Sequence, residues 1–111
     1  MMVCIPSRGP TIEAKMDDRF GRAGFFAFFD SESGLVEVLE NNYAGGSGGV
    51  GTKVVQFLIQ KDVNVLIAPR LGGNADEALR STGIKVIIQD PDISVQEAYN
   101  EWKKSSENNL S

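Results

Sequence analysis

The stretch AGGSGGVGTK, Ala44 to Lys53, places Gly45, Gly46, Gly48, Gly49 and Gly51 ahead of an apolar run with helical spacing. Gly72, Gly73 and Asn74 repeat the arrangement ahead of a second such run. Glycines at a helix start let a ligand approach free backbone N–H groups, where the helix dipole favours an exposed anion by about 0.3–1 kcal/mol. Arg8, Arg19, Arg22 and Arg70 fall on connections expected at the same end of the molecule, whereas Arg80 falls on a helix. Guanidinium groups beside glycine-opened helix ends, with Thr52 as a further donor, are the chemistry of a small-anion site. In the plainer alternative the arginines pair with Asp17, Asp18, Asp76 and Asp90, and the glycines only turn the chain.

The first glycine run approaches the phosphate-binding pattern G-x-x-x-x-G-K-[ST], but Gly51-Thr52-Lys53 reverses its last two residues. Neighbours on a helix stand about 100° apart, so Lys53 is expected to point away from a phosphate held there. Other chemistry is scarce. The chain has one cysteine and no histidine, which excludes a zinc site of the usual kind. Cys4 and Met16 are the soft atoms available as auxiliary metal contacts, although a core role suits both. No nucleophile, general acid or general base stands in a usable constellation, so the sequence does not read as that of an enzyme.

These residues need elements to position them. Met2–Pro6 reads as a buried strand closed by the turn Ser7-Arg8-Gly9-Pro10. Phe25–Phe29 and Leu35–Glu40 form a hairpin about the turn DSESG. A helix follows over Val54–Lys61, then the strand Val63–Ala68. Asn74-Ala75-Asp76-Glu77 has the form of a capping box for a helix ending before Gly83, and Ile84–Gln89 is the last strand. Ser94-Val95-Gln96-Glu97 caps a final helix carrying Val95, Ala98, Tyr99 and Trp102 on one stripe. The order β-β-β-α-β-α-β-α implies an α/β fold with a mixed five-stranded sheet of the ribonuclease H-like kind, in which only the second strand runs against the others. The carboxyl ends of the parallel strands then share one edge, the ligand edge of open α/β sheets. A nuclease of that fold holds two metal ions on clustered carboxylates, one of them on the first strand. Met2–Pro6 carries no acid, which excludes that activity.

With 111 residues the chain is read as one domain over 1–104, followed by a polar tail, 105–111, expected to fray. A net charge of −4 argues against a nucleic-acid partner. No apolar run approaches the roughly 20 residues of a membrane span, and the first ten residues lack a signal-peptide pattern, so the expectation is a cytoplasmic protein without membrane contact.

The segment Arg19-Phe20-Gly21-Arg22-Ala23 resembles the [HR]-F-G-R-[AC] signature of the dinitrogenase iron–molybdenum cofactor biosynthesis family, the nitrogenase accessory factor-like proteins. The opening VCIPS, the asparagine pair Asn41-Asn42, the later GGNADEAL and GIKVII, and the last helix agree with it. The resemblance implies a ribonuclease H-like fold without nuclease activity. It also implies a non-catalytic carrier for an anionic iron– or molybdenum–sulfur cluster, with cluster donor and acceptor proteins as partners. Arg19, Phe20, Gly21 and Arg22 would line the cleft with the glycines from Gly45 to Gly51 and with Gly72, Gly73 and Asn74. Some members carry a histidine before F-G-R or in the glycine loop. Arg19 stands here instead, which suits an outer-sphere grip on a cluster already ligated by sulfide. Two alternatives stand beside the carrier: a cluster-free interaction or regulatory domain in metal–sulfur metabolism, and a nucleotide or phosphate site in the same cleft, although no nucleotide is expected. Oligomeric state and the identity of the metals stay open.

Overall fold

The computed structural model describes residues 1–46 and 49–109, with backbone alone for 107–109. In chain order it has β1 (Met2–Ser7), a 3-10 turn (Phe20–Arg22), β2 (Phe25–Asp30), β3 (Val36–Glu40), α1 (Val50–Gln60), β4 (Val65–Ala68), α2 (Gly73–Arg80), β5 (Lys85–Ile88) and α3 (Val95–Asn109). The strands form one sheet in the order β3-β2-β1-β4-β5. β2 is antiparallel to β1 and β3, while β1, β4 and β5 are parallel. This is the mixed arrangement read from the sequence.

Both faces of the sheet are covered, which is why its central strands are apolar without alternation. Cys4, Phe26, Phe28 and Leu66 pack beneath α1 and α2 with Val54, Leu58 and Leu79. Val3, Ile5, Ala27, Phe29 and Ile67 face α3 with Val95, Ala98 and Trp102. Each fully buried Phe, Leu or Ile contributes about 1.5–3 kcal/mol. Tyr99 stacks on Phe29, with ring centroids 4.1 Å apart, and fixes α3 on the sheet. Among the described side chains of α3 Trp102 is the last buried one, and backbone hydrogen bonding carries the helix beyond Lys104 to Asn109.

Two helix starts differ from expectation. α1 begins at Val50 rather than Val54, because buried Val50 extends the apolar stripe one turn back through Gly51-Thr52-Lys53. α2 begins at Gly73, with extended Gly72 as its N-cap and the Gly72 carbonyl accepting the Asp76 N–H at 3.0 Å. Asn74 is therefore inside the first turn and caps nothing. The Ser94 box does form: Ser94 Oγ accepts the Glu97 N–H at 3.1 Å, and Glu97 Oε1 accepts the Ser94 N–H at 3.4 Å. Ser94→Ala is expected to cost about 1 kcal/mol in urea denaturation, while Asn74→Ala leaves the midpoint of that curve nearly unchanged.

Candidate functional site

A cleft of about 490 Å³ opens at the carboxyl edge of the sheet. Three segments wall it. The β1–β2 connection contributes Asp18, Arg19, Phe20, Gly21 and Arg22, the start of α1 contributes Gly49, Val50 and Gly51, and the β4–α2 connection contributes Arg70, Gly72, Gly73, Asn74 and Ala75. The fourth connection at this edge, 89–94, is committed elsewhere. Its end pairs with the segment before Asp17, and the Val95 and Gln96 N–H groups donate to the Ala14 and Ile12 carbonyls at 2.9 Å each.

Asp17 shapes the first wall. Its buried carboxylate accepts from Arg19 Nε (3.1 Å), Arg19 Nη2 (2.9 Å), the Arg19 N–H (3.0 Å) and the Gly24 N–H (3.2 Å). Burial pushes this carboxyl upwards, but the Arg19 guanidinium and the two backbone donors outweigh it and hold the group below the usual carboxylate range. Asn41 ties the same wall to the glycine loop. Its side-chain amide donates to the Gly21 and Ala23 carbonyls at 3.1 and 2.9 Å, and its Oδ1 accepts the Tyr43 N–H at 3.0 Å. Phe20 anchors the turn from below, edge-on to Phe26 with centroids 5.8 Å apart.

The other two walls are helix ends without side-chain caps. Gly49 caps α1 in the left-handed region (φ 66°), which glycine adopts without strain, and among the described residues no side chain bonds the first-turn N–H groups of α1 or α2. α3 differs, since its first turn is satisfied by Ser94, Ile12 and Ala14. Gly72 and Gly73 have no positive φ, and a Cβ on either would meet nothing within 4 Å. The backbone geometry thus leaves both positions open to any residue. Glycine there keeps the cleft floor bare and its N–H groups approachable. Gly21 and Gly51 serve packing instead: a Cβ on Gly21 would touch Gly51 at 3.4 Å, and one on Gly51 would touch Ala75 at 3.6 Å.

The aspartates neutralise part of the arginine set. Arg19 is spent on Asp17, and Arg8 reaches Asp18 at 3.9 Å. Arg80 pairs with Asp76 at 3.0 Å on α2, while Asp90 accepts the Asp92 N–H rather than an arginine. Arg22 donates to the Ala44 carbonyl at 2.8 Å. Arg70 has no hydrogen bond or ion pair among the described residues.

Of the residues expected from sequence, Arg19, Phe20, Gly21, Arg22, Gly49, Gly51, Arg70, Gly72, Gly73 and Asn74 converge on the cleft. Arg8, Gly45, Gly46 and Thr52 are not in its lining, and neither is Lys53. Gly46 instead packs tightly, since a Cβ there would lie 3.3 Å from both the Tyr43 carbonyl and Val50. Gly48 lies outside the described residues. Cys4 and Met16 are fully buried in the two separate halves of the core, on opposite faces of the sheet. Burial pushes the Cys4 thiol well up, which keeps it protonated. Among the described residues no group of three or more His, Cys, Asp or Glu is placed to hold a metal ion. The donors facing the cleft are N–H groups, suited to acceptor atoms of an anion and not to direct ligation. The pairing of Arg19 with Asp17 is the plainer alternative read from the sequence, and Asn41, one of the two asparagines singled out there, is the one that ties the wall together. Its signal in the sequence is its place between the last strand residue and a glycine run.

The sequence matches the dinitrogenase iron–molybdenum cofactor family over residues 1–105. The apo form of the orange protein from Desulfovibrio gigas superposes with a TM-score of 0.87 at 28% identity, covering 94% of this chain and 88% of that one. A candidate NifB protein from Thermotoga, solved by NMR, gives a TM-score of 0.79 at 43% identity, covering 93% and 87%. An uncharacterized protein of Methanocaldococcus jannaschii is 29% identical over 80 residues, 69% of this chain and 68% of the relative. With its fold shared by these structures and its sequence matched from residue 1 to residue 105, the chain belongs to the dinitrogenase iron–molybdenum cofactor family.

Proposed function

We propose that this protein is a non-catalytic carrier that holds an anionic iron– or molybdenum–sulfur cluster as cargo in the cleft, by outer-sphere contacts. Family membership points to the handling of such clusters, and the similar orange protein was solved in an apo form. The observation that carries the reading is the convergence of two uncapped helix starts on a bare glycine floor beside Arg70. Backbone N–H groups and guanidinium groups donate to sulfide on an assembled cluster without displacing any ligand from its metals. Such a grip is reversible, as transfer between donor and acceptor proteins requires. No helix among the described residues is long and apolar enough to cross a membrane.

The test is an anaerobic amide-shift titration of labelled protein with tetrathiomolybdate, compared with ATP and magnesium at matched ionic strength. Saturable shifts at Arg19 to Arg22, Gly49 to Gly51 and Gly72 to Ala75 with the sulfide anion alone are the expected result. Absence of saturable shifts there, or shifts with ATP alone, overturns the carrier reading.

A further inference from the structure

We infer that the cleft selects cargo by charge, favouring an anion with two or more negative charges over a monoanion of the same shape, and that Arg22 and Arg70 are the residues that read that charge. The inference rests on the carrier reading and adds the charge class of the cargo. Four cationic side chains stand in or near the cleft, but they are not equivalent. The Arg19 guanidinium lies 2.9 Å from the buried Asp17 carboxylate, so that pair presents no net charge to the cleft. Arg8 and Asp18 approach to 3.9 Å at the rim, both about half exposed, so Arg8 is drawn towards a carboxylate that it offsets only in part. Arg22 is held by a neutral carbonyl, Ala44 O at 2.8 Å, and Arg70 meets no carboxylate among the described residues. Two guanidinium charges are thus left facing the cleft, supported by two helix ends that each carry a partial positive charge.

Asp18 has the opposite part. It is the carboxylate in the cleft lining, and the long contact with exposed Arg8 screens it only partly. Its charge lowers the affinity for any anion, and lowers it more for a dianion. The two signs give the cleft a tunable hold, in which Arg22 and Arg70 set capture and Asp18 limits residence.

The experiment uses two tetrahedral sulfide anions of closely matched shape, tetrathiomolybdate (a dianion) and tetrathiorhenate (a monoanion), titrated anaerobically at about 0.02 M ionic strength, where screening is weak. Wild-type protein is expected to bind the dianion about tenfold or more tightly. Arg70→Gln and Arg22→Gln should each reduce that preference several-fold, and the double variant should erase it. Asp18→Asn should tighten dianion binding about threefold. Amide spectra check that each variant is folded. Equal affinity of wild type for the two anions overturns charge selection and leaves the carrier reading standing. A preference that survives in the folded double variant overturns the assignment to Arg22 and Arg70. Failure of both anions to bind wild type overturns this inference together with the carrier reading beneath it.

Discussion

Asp17→Ala is expected to destabilise the fold by about 3 kcal/mol, since two part-buried backbone donors, the N–H groups of Arg19 and Gly24, lose the buried carboxylate that accepts them, at about 1–3 kcal/mol each. In a domain of this size the melting temperature should fall by about 12 °C or more. Arg19→Ala should cost less, because the guanidinium is 66% exposed and the backbone donors still hold the carboxylate. Urea denaturation of both variants checks the order, and an Arg19 variant at least as damaging as the Asp17 one would refute this account of the wall. The pH dependence follows from the same group. Asp17 has a lowered carboxyl in the folded state, and so does Asp30, whose oxygen accepts the Glu32 and Ser33 N–H groups at the β2–β3 turn. The stability due to each is complete above the unfolded value of about 3.9 and is lost as pH falls through the lower folded value. Acid should therefore weaken the wild type below about pH 4, and Asp17→Ala should flatten that slope.

The double variant Gly72→Ala/Gly73→Ala should separate stability from binding. Neither glycine has a positive φ, and an added Cβ meets nothing within 4 Å. At Gly73 such a substitution stabilises by about 0.4–1 kcal/mol, chiefly by restricting the unfolded chain, whereas at Gly72, the N-cap of α2, the poorer capping of alanine offsets that gain. The same methyl groups would stand on the cleft floor and hold a large anion away from the α2 N–H groups. Affinity for tetrathiomolybdate should fall about tenfold or more while the melting temperature changes little. Undiminished affinity in this variant would place the anion elsewhere.

Much of the fold was legible because the strands are short apolar runs between strong turn signals, and a sheet covered on both faces demands such runs. VCIP, FFAFF and VLIA could hardly be anything else. The helix starts were less legible, since glycine carries no periodicity. Val50 belongs to α1 only because its side chain finds the core, and Asn74 has capping chemistry at a place where Gly72 already supplies the turn. The cleft was readable as a set of loops sharing an edge, but its charges were not. Which arginine meets which aspartate depends on backbone paths within a few ångströms. Of two adjacent aspartates, Asp17 is buried beneath Arg19 and Asp18 faces the cleft, a difference that composition cannot register. The 3-10 turn at Phe20–Arg22 likewise depends on a tertiary tie, the Asn41 amide donating to the Gly21 and Ala23 carbonyls, beside the local bond from the Arg19 N–H to Asp17.

β1 and β2 are antiparallel neighbours, a pair that two residues could join, yet the chain between them runs from residue 8 to residue 24. β2 and β3 are joined by 31–35 alone. Closing the longer loop costs more entropy, and β1 must also find β4, more than fifty residues away in the chain. The local hairpin is therefore expected to zip early, with docking of β1 among the slow steps of folding. Because the long connection is itself a wall of the cleft, an unfinished chain with β2, β3 and α1 already in place has no room prepared for cargo. On the proposed carrier reading, loading follows closure of the sheet.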